Sequence, residues 1–185
     1  MSAYDTASAF RLFDSLEPVT TAFMLGTWRG EGFPTGHAMD GALEAYGWWG
    51  KRFDSTEDVH PLLFARRGGG TLALNPIWMA PSLPWLDRWP LPKSPAIGRA
   101  LQWLLPLLST QRSGARLRQI EHRGRVGATM VYDRLPINDV FRRIDDDTVL
   151  GLMDQKGSAK TFFFVLKRQV AMPTAASSAA ISSST

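Results

Sequence analysis

The residues best suited to catalysis in this sequence are His37 and Asp40, three positions apart where a short helix is predicted to begin. A carboxylate that orients an imidazole suits proton transfer near neutral pH. The same two residues could instead cap the junction between a loop and the helix, with no chemical role. Asp154 and Lys156, near the end of a predicted strand, form a second candidate acid–base pair. These four candidate catalytic residues leave open whether the protein is an enzyme.

A second group of residues is suited to lining a cavity. Seven tryptophans in 185 residues indicate an aromatic-lined interior or partner surface, because tryptophan buries a large ring. Arg142 shares a predicted strand face with apolar neighbours, so it needs a partner there, which could be Asp133, Asp154 or the carboxylate of a ligand. Lys51 could face the cavity or be solvated. The predicted ligand-binding residues are Trp28, Trp48, Trp49, Lys51, His60, Tyr132, Asp133 and Arg142.

Several classes of function lack the residues that they need. The chain has no cysteine, and its three histidines, at positions 37, 60 and 122, show no H-x-H or H-x-x-x-H spacing, so no metal site is expected. It has no G-x-S-x-G, Walker or G-x-G-x-x-G motif. The net charge of +4 comes from scattered arginines, unlike a nucleic-acid-binding tail. We therefore expect no cofactor, no nucleic acid and a small-molecule partner.

The sequence also bears on where the protein works. No apolar run reaches the roughly 18 residues that span a bilayer. The first residues have neither the basic nor the apolar region of a signal peptide. Together with the lack of cysteine, these features predict a cytoplasmic protein without a transmembrane segment.

The elements that would position these residues are mostly strands. Apolar residues at helical spacing predict a helix over 7–16, which Pro18 ends. The stretch Gly26-Thr27-Trp28-Arg29-Gly30-Glu31-Gly32 predicts a first strand, whose indole plugs one end of a barrel while its glycines let rings or backbone approach closely. A short helix is predicted within 39–50, with Asp40 as its cap. Further strands are predicted at 115–122, 127–133, 137–145, 148–154 and 161–168, and such a meander closes into a barrel.

Two segments resemble a known family. Gly26-Thr27-Trp28-Arg29-Gly30 and Gly47-Trp48-Trp49-Gly50-Lys51 are similar to the GXWXG protein family, and Met130-Val131-Tyr132-Asp133 with Met153-Asp154-Gln155-Lys156-Gly157 are similar to its companion C-terminal domain of unknown function. This resemblance implies a family without assigning an activity. The G-x-W triplet also resembles the opening strand of the calycin barrels (lipocalins, fatty-acid-binding proteins and nitrobindins), which implies a cavity for lipid, retinoid or haem. Haem is the less expected ligand, because nitrobindins take their iron ligand from late in the chain and no histidine follows His122 here.

The predicted fold is therefore mainly β. It is an antiparallel calycin-like β-barrel with an N-terminal helix, a short helix after the first strand and a helical Trp/Pro-rich insert. Its parts are an N-terminal helical segment (1–19), a GXWXG-type segment (20–75), the insert (76–112), a C-terminal β-meander that completes the same barrel (113–170) and a disordered tail (171–185).

The function predicted from these features is the binding of a small hydrophobic or amphipathic ligand in the barrel cavity. The alternative is an enzyme of isomerase, lyase or hydrolase type, performing acid–base chemistry on a small hydrophobic substrate in that cavity. The insert at 76–112 could be a lid, an interface for a homo-oligomer, a flap that touches a membrane, or simply a helix packed on the barrel mouth.

Overall fold

The computed structural model describes residues 4–66, 68–85 and 92–169. Its central feature is a closed barrel of eight antiparallel strands, in which the last strand pairs with the first. Two short strands pair with strands of this barrel: β1 (Glu17–Pro18) with β8 (Ile137–Arg143), and β5 (Thr71–Ala73) with β4 (Val59–Ala65). The predicted mainly-β antiparallel barrel is therefore confirmed. The barrel strands, in the order in which they pair, are β2 (Gly26–Gly32), β3 (Trp48–Phe53), β4 (Val59–Ala65), β6 (Ala115–His122), β7 (Arg125–Tyr132), β8 (Ile137–Arg143), β9 (Thr148–Gln155) and β10 (Phe162–Gln169).

The helices lie outside and at the ends of the barrel. They are α1 (Thr6–Ser15), α2 (Thr21–Met24), α3 (Ala42–Ala45) and α4 (Pro95–Leu108), with a 3₁₀ helix at Pro76–Trp85. The helix within 39–50 is shorter than predicted, because Trp48 already begins β3. Its N-cap is Gly41, so Asp40 is not the predicted cap of this helix. Helix α4 is the helix predicted within the insert, whereas residues 86–91 of the insert and the predicted disordered tail lie outside the described residues.

The strands bury side chains on both faces. The interior holds the large apolar cluster, with Met130 of β7, Phe141 of β8 and Phe164 of β10 among its members. The outer face of β8, β9 and β10 is covered by α1, whose Ala9 and Phe13 pack on residues such as Phe163. One layer therefore fills the barrel, and a second seals part of its outside.

The G-x-W-x-G stretch forms β2, and its tryptophan belongs to the buried apolar cluster of the barrel. The Trp28 indole is fully buried and donates from Nε1 to the Met24 carbonyl at 2.7 Å. The guanidinium of Arg168 lies 4.2 Å from the centre of this ring system. A Cβ added to Gly30 would overlap the Trp48 ring, so the close approach predicted for the glycines is confirmed at this position.

A second glycine, Gly50, interrupts the alternation of inward and outward side chains along β3. Gly50 has φ +149°, and a Cβ there would overlap the backbone carbonyl of Trp28. The pairing of β3 with β4 shifts register on both sides of Gly50. This bulge allows Trp48 and Lys51, three residues apart, both to contact the barrel interior.

Candidate ligand-binding site

The barrel interior contains a buried ion pair. Lys51 of β3 and Asp139 of β8 place Nζ and Oδ2 2.8 Å apart, and their side chains are only 4% and 2% exposed. Lys51 Nζ also donates to the carbonyl of Pro61 in β4, at 3.1 Å. Three strands therefore fix the position of the ammonium group.

Aromatic rings surround this ammonium group. Lys51 Nζ lies 5.1 Å from the ring centre of Phe164, 5.8 Å from that of Trp48 and 5.9 Å from that of Tyr132. Ring faces attract cations, and this attraction strengthens where water is excluded. The rings thus support the charge on Lys51 while giving the site apolar walls.

Two polar atoms of this site have no hydrogen-bond partner within the part of the chain that the structure describes. They are Oδ1 of Asp139 and Nε1 of Trp48, an acceptor and a donor. Burial raises the pKa of the Asp139 carboxyl, although the Lys51 ammonium acts in the opposite direction. Burial, with a smaller effect from Asp139, also raises the pKa of the Tyr132 phenol. The site can therefore both donate and accept a hydrogen bond in largely apolar surroundings.

These atoms border a small cavity of about 20 Å³. A volume above roughly 10–15 Å³ accommodates a single water molecule. The cavity is lined by Met39, Leu43, Trp48, Lys51, Leu62, Met79, Tyr132, Asp139, Met153, Phe162 and Phe164. Of the predicted ligand-binding residues, the structure thus brings Trp48, Lys51 and Tyr132 together around one cavity.

His37 and Asp40 do not form the predicted carboxylate–imidazole pair. The Asp40 carboxylate accepts from the backbone amides of Thr35, Gly36 and His37, at 3.0, 2.8 and 2.9 Å. His37 Nδ1 accepts from the amide of Met39 at 3.1 Å. The carboxylate therefore fixes the loop before α3, as in the structural alternative. The buried His37 ring lies 5.5 Å from that of Phe162, which is one of the residues that line the cavity.

Arg142 is buried, but on the outer face of β8 beneath α1. Its guanidinium donates to the carbonyls of His122 and Phe141, at 3.1 and 3.2 Å, and lies 4.9 Å from the ring centre of Phe13. Neither Asp133 nor Asp154, two of the three partners considered for it, accepts these hydrogen bonds, which go to the backbone. None of these three contacts of Arg142 is with a residue that lines the cavity. Its position therefore does not support its predicted role in fixing a ligand.

Other predicted site residues lie at the surface. Asp154 is exposed, with Oδ2 4.0 Å from Nδ1 of His122, and Lys156 is exposed in the turn after β9. Asp133 is exposed and lies 3.6 Å from Arg116. The structure therefore does not bring the second acid–base pair to the cavity. Trp28 and Trp49 are not among the cavity-lining residues. The guanidinium of Arg29 lies 5.4 Å from the ring centre of Trp49.

His60 belongs to a separate cluster at the β3–β4 turn. Its Nε2 lies 3.5 Å from Asp58 Oδ1 and 3.7 Å from Asp54 Oδ2. Within the described ranges, these three residues are the group whose side-chain atoms are close enough together to bind one metal ion. Arg52 already donates to Asp54 Oδ2 at 2.9 Å. Burial, followed by the charge of Arg52, lowers the pKa of His60. The nearby cation makes this a poor site for a metal ion.

The prediction missed Asp139, although the sequence contains a signal for it. In Ile137-Asn138-Asp139-Val140-Phe141, residues two apart share a face of the strand, so Asp139 stands between two large apolar neighbours. A carboxylate in that position must find a buried partner. Lys51 was already among the candidates, and the two together form the polar centre of the interior.

The fold and site define the class: a closed eight-stranded calycin-like barrel with a polar pair in an apolar interior. Residues 11–69 match the GXWXG protein family, and residues 113–168 match a domain of unknown function, DUF4334. The chain is similar to a protein from Thermomonospora curvata whose crystal structure is known. The two sequences are 35% identical, the structures superpose with a TM-score of 0.66, and the match covers 90% of this chain and 88% of the other. A search of curated proteins gave no match. The chain belongs to the GXWXG protein family, joined to its DUF4334 companion domain.

The two matched regions build one barrel in this chain. The first contains β2 to β4, and the second contains β6 to β10. Neither set of strands closes a barrel alone, and the Lys51–Asp139 pair links one region to the other. None of the helices in the described ranges is long and apolar enough to cross a membrane.

Proposed function

We propose that the barrel interior binds a small amphipathic molecule, whose polar group reaches the Lys51–Asp139 pair. The observation that carries this proposal is that Asp139 and Trp48 line the same cavity, and that Oδ1 of Asp139 and Nε1 of Trp48 have no hydrogen-bond partner within the described residues. Buried polar atoms normally have hydrogen-bond partners. A ligand that satisfies both atoms gains two hydrogen bonds in largely apolar surroundings.

The polar group of the ligand is uncharged in this proposal. Lys51 and Asp139 already balance each other at 2.8 Å, so a carboxylate or an ammonium group would bring an uncompensated charge into the interior. A hydroxyl group fits both requirements, because it donates to Asp139 Oδ1 and accepts from Trp48 Nε1. We therefore infer a small apolar alcohol, or a compound with an equivalent neutral polar end.

The apolar part of the ligand requires the walls to move. A cavity of about 20 Å³ is too small for a chain of several carbons. Three of its lining residues are methionines, Met39, Met79 and Met153, whose unbranched side chains rearrange readily. Met153 belongs to β9, whereas Met39 lies before α3 and Met79 lies in the 3₁₀ helix. Two of the three methionine side chains therefore belong to segments outside the strands.

Displacement of a fluorescent compound tests the proposal. N-phenylnaphthylamine, which is neutral and apolar, is titrated into the wild-type protein and then displaced by decanol, decane or decanoic acid. We expect decanol to be the best competitor, because it alone combines an apolar chain with a neutral hydroxyl group. Native mass spectrometry of the purified protein provides an independent search for a bound compound of this class.

Two variants separate the cavity from other apolar surfaces. Met153→Trp fills the cavity and should abolish binding of N-phenylnaphthylamine. The double variant Lys51→Met/Asp139→Leu should retain this compound but lose the preference for decanol over decane. A matched control removes the exposed ion pair between Lys167 and Glu31, whose Nζ and Oε2 lie 2.7 Å apart, and should change neither property. Equal binding by Met153→Trp, or stronger competition by decanoic acid, would overturn the proposal.

A second candidate function is acid–base catalysis at the same pair. It is favoured by the position of Asp139, a carboxyl group with a raised pKa that borders the cavity. In this reading Asp139 exchanges protons with the substrate, in place of the predicted His37 and Asp40. Incubating a bound compound in deuterium oxide tests it: deuterium uptake that Asp139→Asn abolishes supports an enzyme, and no uptake supports a binding protein.

A further inference from the structure

Helix α4 buries one side and exposes another that is almost entirely apolar. On the buried side, Leu105 is 1% exposed and belongs to the interior cluster. Gln102 on the same side donates from Nε2 to the carbonyl of Tyr46, just after α3, at 3.3 Å. The opposite side consists of Ile97, Trp103, Leu104 and Leu107, which are 43%, 73%, 50% and 81% exposed.

These four residues form a continuous stripe, which we call the α4 face. Ile97 and Leu104 are two helical turns apart, and Trp103 and Leu107 are one turn apart on the adjacent rows. A helix on the surface of a globular protein normally turns its polar residues to solvent. Contiguous apolar surface of this kind marks an interaction site.

The charges that α4 and its flanking residues carry are all positive. From Pro92 to Gly114 the chain contains no aspartate or glutamate, whereas Lys93, Arg99 and Arg112 are exposed in that stretch. Two copies of this face would bring six cations together, which opposes self-association. An anionic surface with an apolar layer beneath it complements both the charges and the leucines.

We propose that the α4 face docks onto an anionic membrane surface, with the helix lying parallel to it. The 14 residues of α4 extend over about 21 Å at about 1.5 Å per residue, so the helix lies on a bilayer and does not cross it. Leu104 and Leu107 enter the boundary between headgroups and acyl chains. Trp103 lies at headgroup depth, where tryptophan is enriched. This inference does not depend on the ligand proposed for the barrel.

Vesicle flotation tests the proposal with the full chain. Vesicles contain either phosphatidylcholine alone or equal amounts of phosphatidylcholine and phosphatidylglycerol. We expect the wild-type protein to float with the anionic vesicles and to be released as salt is raised, because salt screens the basic residues. Arg99→Gln should weaken binding to the anionic vesicles about fivefold, the contribution of one basic residue near such a surface.

The double variant Leu104→Ser/Leu107→Ser should weaken binding about a hundredfold, since it removes the two most membrane-embedded side chains. The matched control is Val126→Ser/Ile144→Ser, which changes two exposed apolar residues of the β7 and β8 regions and should float like the wild type. Circular dichroism should be unchanged in both, because all four positions are exposed. Failure of the wild type to float, equal flotation of the Leu104/Leu107 variant, or a wild-type dimer that this variant dissociates would overturn the proposal.

Discussion

Removing one member of the Lys51–Asp139 pair should destabilise the protein far more than removing both. In Lys51→Met, the Asp139 carboxylate loses the partner of Oδ2, and Oδ1 has none in the described part of the chain. The buried group escapes this penalty by taking up a proton. Holding a carboxyl group protonated near pH 7, against an ordinary pKa of about 3.9, costs about 4 kcal/mol at about 1.4 kcal/mol per pH unit. The expected loss in free energy of unfolding is therefore about 4 kcal/mol, within the range of about 3–5 kcal/mol found when buried pairs are broken.

The dependence on pH identifies the cause. The folded-state pKa of Asp139 is raised above its unfolded value, so the folded state binds more protons between these two values and loses stability as pH rises through that window. Without Lys51 this window widens upward. The deficit of Lys51→Met should therefore shrink by about 1.4 kcal/mol for each unit of acidification between about pH 7 and 5. Asp139→Leu should also lower the free energy of unfolding, because the Lys51 ammonium group would then lie buried without the carboxylate that is 2.8 Å from it.

Urea unfolding followed by tryptophan fluorescence measures these differences. The double variant Lys51→Met/Asp139→Leu should lie within about 1 kcal/mol of the wild type, since replacing both charges of a buried pair with apolar groups is often neutral or stabilising. The exposed pair Lys167–Glu31 is the control, and its removal should cost less than about 1 kcal/mol. A loss below about 1 kcal/mol in Lys51→Met, or a loss independent of pH, would refute the assignment of Asp139 as a desolvated carboxylate.

Three further predictions concern the frame of the barrel. Gly30→Ala should lower the free energy of unfolding by about 1–3 kcal/mol, because its Cβ overlaps the Trp48 ring, and Trp48→Leu should restore part of this loss; additive losses in a double-mutant cycle would contradict the contact. Arg168→Met should lower the free energy of unfolding by about 2–4 kcal/mol in the same assay, since the guanidinium donates to the carbonyls of Phe23 and Leu25 at 2.8 and 3.0 Å. Arg168→Lys should not recover this loss, because a lysine ammonium group cannot reproduce the two parallel hydrogen bonds of the guanidinium. Burial lowers the pKa of His60 and His122, so the folded state binds fewer protons than the unfolded state, and the free energy of unfolding should fall as pH drops below about 6.5. His60→Gln should make the free energy of unfolding less dependent on pH in this range, and an unchanged dependence would contradict the assignment.

The C-terminal half of the barrel was predictable because its turns and its alternation agree. The predicted strand at 115–122 coincides with β6. The next four predicted strands begin and end within two residues of the observed strands. In β7, Ala128, Met130 and Tyr132 share the interior face, as a period of two requires. Short polar turns fix where each strand ends, so local signals suffice there.

The site was less predictable because the barrel is buried on both faces. Alternation correctly placed Arg142 with Val140, but it could not tell the interior from the outer face beneath α1. In β3, the bulge at Gly50 shifts the phase of the strand, so simple alternation places Trp48 and Lys51 on opposite faces. For Asp40, a spacing of three residues allows both an imidazole contact and a backbone turn, and the turn amides take the carboxylate.

Two departures from the usual distribution of polar and apolar residues occur around the same end of the barrel. The interior carries a charged pair where apolar residues would serve stability at least as well. Helix α4 exposes leucines where polar residues would favour solubility. The two are physically connected, because Gln102 binds the chain just after α3 and Leu43 of α3 lines the cavity beside Lys51. A fold selected for stability alone requires neither feature, whereas a protein that takes a sparingly soluble amphipathic molecule from an apolar phase requires both an apolar docking face and a polar group inside. The contacts through α3 therefore connect the proposed docking face with the proposed binding site.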